Sequence, residues 1–123
     1  MPQIGIIPAH DPRFLSTLEA CETHLRFGNH LYRYRAPDDF GAPETAFTAC
    51  TFWLIDALVR VGRREDARQI FDEILRTRNH LGLLSEGVHV ETGELWGNFP
   101  QTYSMVGLVY AAMHLSRRWE DVL

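Results

Sequence analysis

The chain has 123 residues, of which 46% are hydrophobic and 23% charged. That is the length of one ordinary domain and a globular composition, which excludes a disordered or fibrous chain. The net charge is −4 and the arginines are scattered among acids instead of forming a basic stripe, so no nucleic-acid surface is expected.

The start, MPQIGIIPAHDPRF, has neither the basic nor the long apolar region of a signal peptide. No apolar run approaches the ~18 residues of a membrane span. Cys21 and Cys50 sit in apolar surroundings without metal or redox spacing, and they read as reduced thiols. A cytoplasmic protein with no membrane partner is the expectation.

In chain order, the pattern predicts four helices. Asp11 caps the first, Pro12 suits its first turn, and Phe14, Leu18, Cys21 and Leu25 recur at helical spacing until Gly28 and Asn29 stop it. From Asn29 to Pro43 the residues have loop chemistry around a short extended piece at Leu31 to Tyr34. The second helix, from about Glu44 to Val61, is apolar on several faces and belongs in an interior layer.

Gly62 ends it, and Arg63 to Arg78 forms a third helix with Ala67, Ile70, Phe71, Ile74 and Leu75 on one face. The join is short, so these two fold back as a hairpin, greasy inside and amphipathic outside. Glu91, Thr92 and Gly93 make a turn. Asn98 to Pro100 introduces the fourth helix, whose Tyr103, Val106, Val109, Tyr110 and Met113 make it apolar on more than one side as far as Arg117 and Arg118. The strand signal is weak throughout. The predicted fold is a single all-α domain over residues 1–123, built of antiparallel helical hairpins.

Glu86 is the acid that asks for an explanation. It follows Leu83, Leu84 and Ser85 and precedes Gly87, so the chain can turn while the carboxylate stays at the rim of an apolar layer. A solvated loop glutamate fits the same pattern. Its company favours a site: Trp96, Phe99 and Tyr103 lie just downstream, with Asn98, Gln101 and Ser104 interleaved. Ring faces cover the C–H faces of sugars while amides and hydroxyls pair with their hydroxyl groups.

His89 near Glu86 and Glu91 matches no metal-ligand spacing. Asp38 and Asp39 read as a turn pair, and Glu44 as a helix-start acid favoured by the dipole. GRREDARQIFDEIL looks like a tetratricopeptide-repeat helix, without a 34-residue recurrence.

The pieces PQIGIIPAHDPRFLSTLEACETHL, APETAFTACTFWLIDALVRVGRREDARQIFDEIL and RNHLGLLSEGVHVETGELWGNFPQTYSMVGLVYAA together resemble the carboxy-terminal part of bacterial glycoside hydrolase family 15 proteins, the glucoamylase, glucodextranase and trehalase-like group. The resemblance implies part of an (α/α)6 toroid, an α-glucoside or oligosaccharide substrate, and Glu86, in the L-L-S-E step, as catalytic base of an inverting hydrolysis. It implies no metal or organic cofactor.

Two positions depart from the family's pattern: Gly87, where many relatives carry a second acid, and Met105, where they carry a histidine. The general acid of such proteins would precede Met1, so this chain reads as a fragment, inactive alone, whose open apolar helix faces favour self-association. The rival reading is a noncatalytic helical-repeat module that binds a protein or a carbohydrate.

Overall fold

A computed structural model describes residues 2–116. Helix α1 spans Pro12–Leu25. A short antiparallel pair follows, β1 (Arg26–Phe27) with β2 (His30–Leu31), and then β3 (Thr45–Phe47) leads directly into helix α2 (Thr48–Arg60). Helix α3 covers Arg64–Thr77, the strands β4 (Gly87–His89) and β5 (Leu95–Trp96) form the next segment, and helix α4 covers Thr102–Leu115.

Asp11 caps α1 as its sequence predicts, its carboxylate accepting the Arg13 backbone N–H at 2.9 Å with Pro12 in the first turn. The α2–α3 hairpin closes through a glycine C-cap: Arg63 N–H reaches Leu58 O at 2.8 Å and Gly62 N–H reaches Val59 O at 3.1 Å. Gly62 has φ +86°, a left-handed conformation that a Cβ would strain. Arg63 then extends to Glu22 of α1, fastening the first helix to this corner.

Helix α2 is the centre of the molecule and packs against both α3 and α4. Its Phe52, Leu54, Ile55 and Leu58 are buried, and α3 answers with Ala67, Ile70, Phe71 and Ile74 while turning its charged residues outward. Truncating a fully buried Ile55 or Leu58 to alanine removes about 2–5 kcal/mol of stability.

Asp56 is the polar exception inside this layer. One carboxylate oxygen accepts from Arg60 Nε at 2.8 Å, and the other, with no hydrogen-bond partner of its own, faces His114 Nδ1 of α4 at 2.9 Å. At the other end of the interface, Arg64 and Arg68 of α3 donate to the carbonyls of His114, Leu115 and Ser116, which the last turn of α4 leaves unpaired.

Three expectations change. The chain is not all-α, because β3, β4 and β5 form an antiparallel three-stranded sheet with Phe47 opposite Gly87 and Gly87 opposite Trp96. The second helix therefore starts at Thr48 and not near Glu44: Thr45 to Phe47 are held extended by their ladder to β4. Glu44 lies outside the helix, exposed, and the dipole explanation for it falls away.

The fourth helix is not interior on more than one side. Only Ser104, Ala111 and Leu115 are buried, while Tyr103, Val106, Val109, Tyr110 and Met113 are exposed. Arg117 and Arg118, expected to close that helix, lie outside the described residues; its C-cap is Ser116. Among the described residues no helix is long and apolar enough to cross a membrane.

Candidate functional site

Leu84 and Ser85 are fully buried and anchor the chain just before Glu86. Leu84 O accepts Gln101 N–H at 2.9 Å, and Ser85 O accepts the Ser104 hydroxyl at 2.8 Å. Both bonds tie this segment to the start of α4. The Ser85 hydroxyl closes onto Gly87 O, holding the turn around Glu86 from within. Glu86 O accepts Thr48 N–H at 2.9 Å, one of the donors that the first turn of α2 leaves unpaired. The backbone of Glu86 is thus fixed on both sides, between the head of α2 and the segment that enters α4.

The side chain is fixed by Asn98. Glu86 N–H donates to Asn98 O at 2.9 Å; in return Asn98 N–H and Asn98 Nδ2 donate to Glu86 Oε2 at 3.2 Å and 2.9 Å. Gly97 makes the approach possible. It has φ +79°, and a Cβ there would lie 2.9 Å from Glu86 Oε2 and 3.1 Å from Glu86 Cβ. Gly87 is equally constrained by β3, since a Cβ would meet Thr45 Oγ1 at 2.9 Å and Ala46 O at 3.2 Å. An acidic side chain at this position requires the strand to yield, which gives the departure at Gly87 a steric basis.

Glu86 lines an open cleft of about 320 Å³ together with Arg33, Tyr34, Phe47, Trp96 and Gly97, closed off by Pro43, Thr45 and Gly87. Its walls are rings and one guanidinium: Arg33 Cζ lies 5.3 Å from the Tyr34 ring centroid and 5.8 Å from that of Phe47. The Tyr34 hydroxyl donates to Asp38, a bond that pushes the phenol up and holds the Asp38 carboxyl below its ordinary range. Trp96 Nε1 reaches Glu94 Oε2 at 3.3 Å and leaves the ring partly exposed. Aromatic faces, a fixed carboxylate and an arginine within one concave surface suit a polyhydroxylated ligand.

Of the six residues the sequence nominates, Glu86, Trp96 and Asn98 come together here. Gln101, Tyr103 and Ser104 do not. Gln101 lines a separate apolar groove beside Leu83 and Pro100, and Tyr103 lines another between α2 and α4, facing away because α4 has already begun at Thr102. Ser104 is fully buried and its hydroxyl is committed to Ser85 O, so it holds the fold and has none left for a ligand.

Asp39 and Glu44 are exposed and do not line the cleft, in which Glu86 is the one carboxylate among the described residues. Arg33, Tyr34 and Phe47 are the cleft residues the sequence reading missed. For Arg33 and Tyr34 the signal is the alternation of basic and aromatic residues in HLYRYR, whereas Phe47 reads as part of the apolar pattern of the second helix. His89 accepts Thr92 N–H at 3.3 Å and stands beside Trp96. Among the described residues no group of three or more histidine, cysteine, aspartate or glutamate side chains gathers as a metal site. Cys21 and Cys50 are unpaired thiols, and burial pushes the Cys50 thiol up.

Comparison with known proteins adds an independent line. The family model described as "Glycosyl hydrolases family 15" matches residues 1–113. The chain is 39% identical over 116 residues to a protein named trehalase from Thermoplasma volcanium, covering 94% of this chain and 19% of that protein. It is 34% identical over 118 residues to a trehalase from Mycolicibacterium smegmatis, covering 94% of this chain and 18% of that one. It is 33% identical over 111 residues to trehalase 1 of Sulfolobus acidocaldarius, covering 90% and 20%. The chain therefore spans about a fifth of the length of these relatives. No solved structure matches it.

Proposed function

The chain belongs to glycosyl hydrolases family 15, and on that premise we propose that it is the part of an inverting α-glucoside hydrolase that carries the catalytic base, Glu86. The observation that carries the reading is the setting of that carboxylate. One oxygen is anchored by Asn98, and the side chain lines a ring-walled cleft with Trp96 and Tyr34.

In the proposed reaction Glu86 takes a proton from a water that attacks the anomeric carbon, while a carboxylic acid on the opposite side of the glycosidic bond protonates the leaving oxygen. Inversion requires the two carboxyls to stand roughly 6.5–9.5 Å apart. Among the described residues no second carboxylate lines the cleft, and in this reading the acid comes from another part of the enzyme. Trp96 and Tyr34 cover the sugar's C–H faces, and Arg33 pairs with its hydroxyls. Trehalose is the first substrate to test because the relatives carry the name trehalase; dextrins and maltooligosaccharides follow.

The helices take their place in an (α/α)6 toroid, with α2 and α4 in the inner layer and α3 in the outer. The reading places the protein in the cytoplasm and requires neither metal nor organic cofactor. The isolated chain hydrolyses nothing at a useful rate, and the exposed face of α4 drives it to self-associate. The rival reading, a noncatalytic module that binds a sugar or a protein, draws its support from the cleft's holding a single carboxylate among the described residues.

A chimera separates the two. Residues 1–113 replace the matching segment of the Thermoplasma volcanium trehalase, and trehalose hydrolysis is measured. Turnover well above that of the same protein with the segment deleted supports the hydrolase reading. A folded chimera that binds trehalose without cleaving it supports the module.

A further inference from the structure

We propose that Asn98 is the positioning residue of Glu86: it fixes which carboxylate oxygen is presented to the cleft, a role that rests on reading Glu86 as the base. A carboxylate can only accept hydrogen bonds, so the Asn98 amide must turn its NH2 toward it. Oε2 takes that bond at 2.9 Å and a second from Asn98 N–H at 3.2 Å. No hydrogen bond from a described residue reaches Oε1, which is left for a water in the cleft.

The two residues are locked in both directions, because Glu86 N–H also donates to Asn98 O. The Glu86 side chain cannot swing without breaking its bonds from both the Asn98 backbone N–H and Nδ2. Gly97 completes the seat: with φ +79° and no Cβ, it lets Oε2 settle where any side chain would stand 2.9 Å away. Asn98 thus bonds the base and does not line the cleft, which moves it from the ligand-contacting role its sequence context suggests to the support of another residue's geometry. A general base works only when its lone pair is aimed at the proton it removes, and misplacement by about 1 Å costs roughly 10²-fold in rate.

Two measurements test this, one on the chain itself and one on the chimera. In the 123-residue chain, the Asn98 side-chain amide resonance and the Glu86 carboxyl carbon resonance are followed together through a pH titration by NMR. They are expected to move with one common midpoint, and Glu86→Gln is expected to abolish the movement of the amide. An amide signal indifferent to both the titration and the substitution overturns the proposal, whatever Glu86 does in catalysis.

In the chimera, Asn98→Ala is expected to lower kcat about 10- to 100-fold with KM within about twofold, the pattern of a group that acts through the transition state. Asn98→Asp, which sets a like charge against Oε2, is expected to be at least as damaging. Unchanged kcat, or a loss carried by KM, overturns positioning. Normal turnover in Glu86→Gln removes the base reading instead, and leaves the NMR link between the two residues standing on its own.

Discussion

The Ser104 hydroxyl donates to Ser85 O at 2.8 Å, and both residues are fully shielded from solvent. This bond joins the first turn of α4 to the residue before Glu86. Ser104→Ala leaves a buried carbonyl short of its partner, a loss of about 1–3 kcal/mol. Urea unfolding should show that destabilisation, while affinity for trehalose in the chimera stays within about twofold, as for a group outside the site. A loss of affinity with unchanged stability would return Ser104 to the cleft.

Gly107 decides how closely α2 and α4 approach. A Cβ there would lie 2.5, 2.7 and 2.8 Å from Cδ2, Cγ and Cβ of Phe52, whose ring is itself buried. Replacing glycine by alanine within a helix normally gains up to about 1 kcal/mol. Overpacking a core contact costs about 1–3 kcal/mol, and here it wins. Gly107→Ala should lower Tm, and Gly107→Ala combined with Phe52→Ala should cost less than the sum of the two single variants, because the ring that blocks the new methyl is gone. A rise in Tm for Gly107→Ala alone would contradict the packing.

His30 makes stability depend on pH. Burial pushes its imidazole below the ordinary 6.5, against a smaller opposing effect of Glu73. The unfolded chain therefore binds this proton more readily than the folded one, and stability rises with pH in that range. The contribution is complete above the ordinary value and is lost as pH falls through and below it. Tm measured from pH 7.5 down to about 5 should fall more steeply for the native chain than for His30→Gln. Parallel profiles would remove His30 as the cause.

Helix α4 carries the surface expected to mediate self-association. Tyr103 is 72% exposed and Met113 68%, and Val106, Val109 and Tyr110 lie between them on an uncovered apolar face joined by Trp53 of α2. Sedimentation of the isolated chain should show a concentration-dependent dimer or larger species. Val106→Lys together with Met113→Lys should return it to a monomer. A monomeric native chain at high concentration would contradict the expectation.

The sequence showed helices where the signal was local and missed strands where it was not. Asp11 and Pro12 announce the start of α1, and Gly62 announces the end of α2, because caps are written in adjacent residues. Thr45 to Phe47 continue the apolar pattern of α2, yet they pair with residues 87–89, some forty positions away. No periodicity records such a partner, and that ladder alone moved the helix start from Glu44 to Thr48.

The site divides in the same way. Glu86, Trp96 and Asn98 were legible because a short loop had to keep them near one another. Tyr103 was placed with them by proximity in sequence, but the turn into α4 carries it to another face. Arg33 and Tyr34 reach the cleft across the fold, and only the tertiary structure brings them there.

The central claim is that Glu86 is the water-activating base, and the chimera carrying Glu86→Gln tests it most directly. Glutamine keeps the shape and can still meet Asn98, but it cannot accept a proton at neutral pH. Trehalose turnover should fall by about 10²- to 10⁴-fold, the contribution of a general base, while the dissociation constant for trehalose changes by no more than about threefold. Turnover within about threefold of the parent chimera, with trehalose still bound, would contradict the account and remove Glu86 from the chemistry.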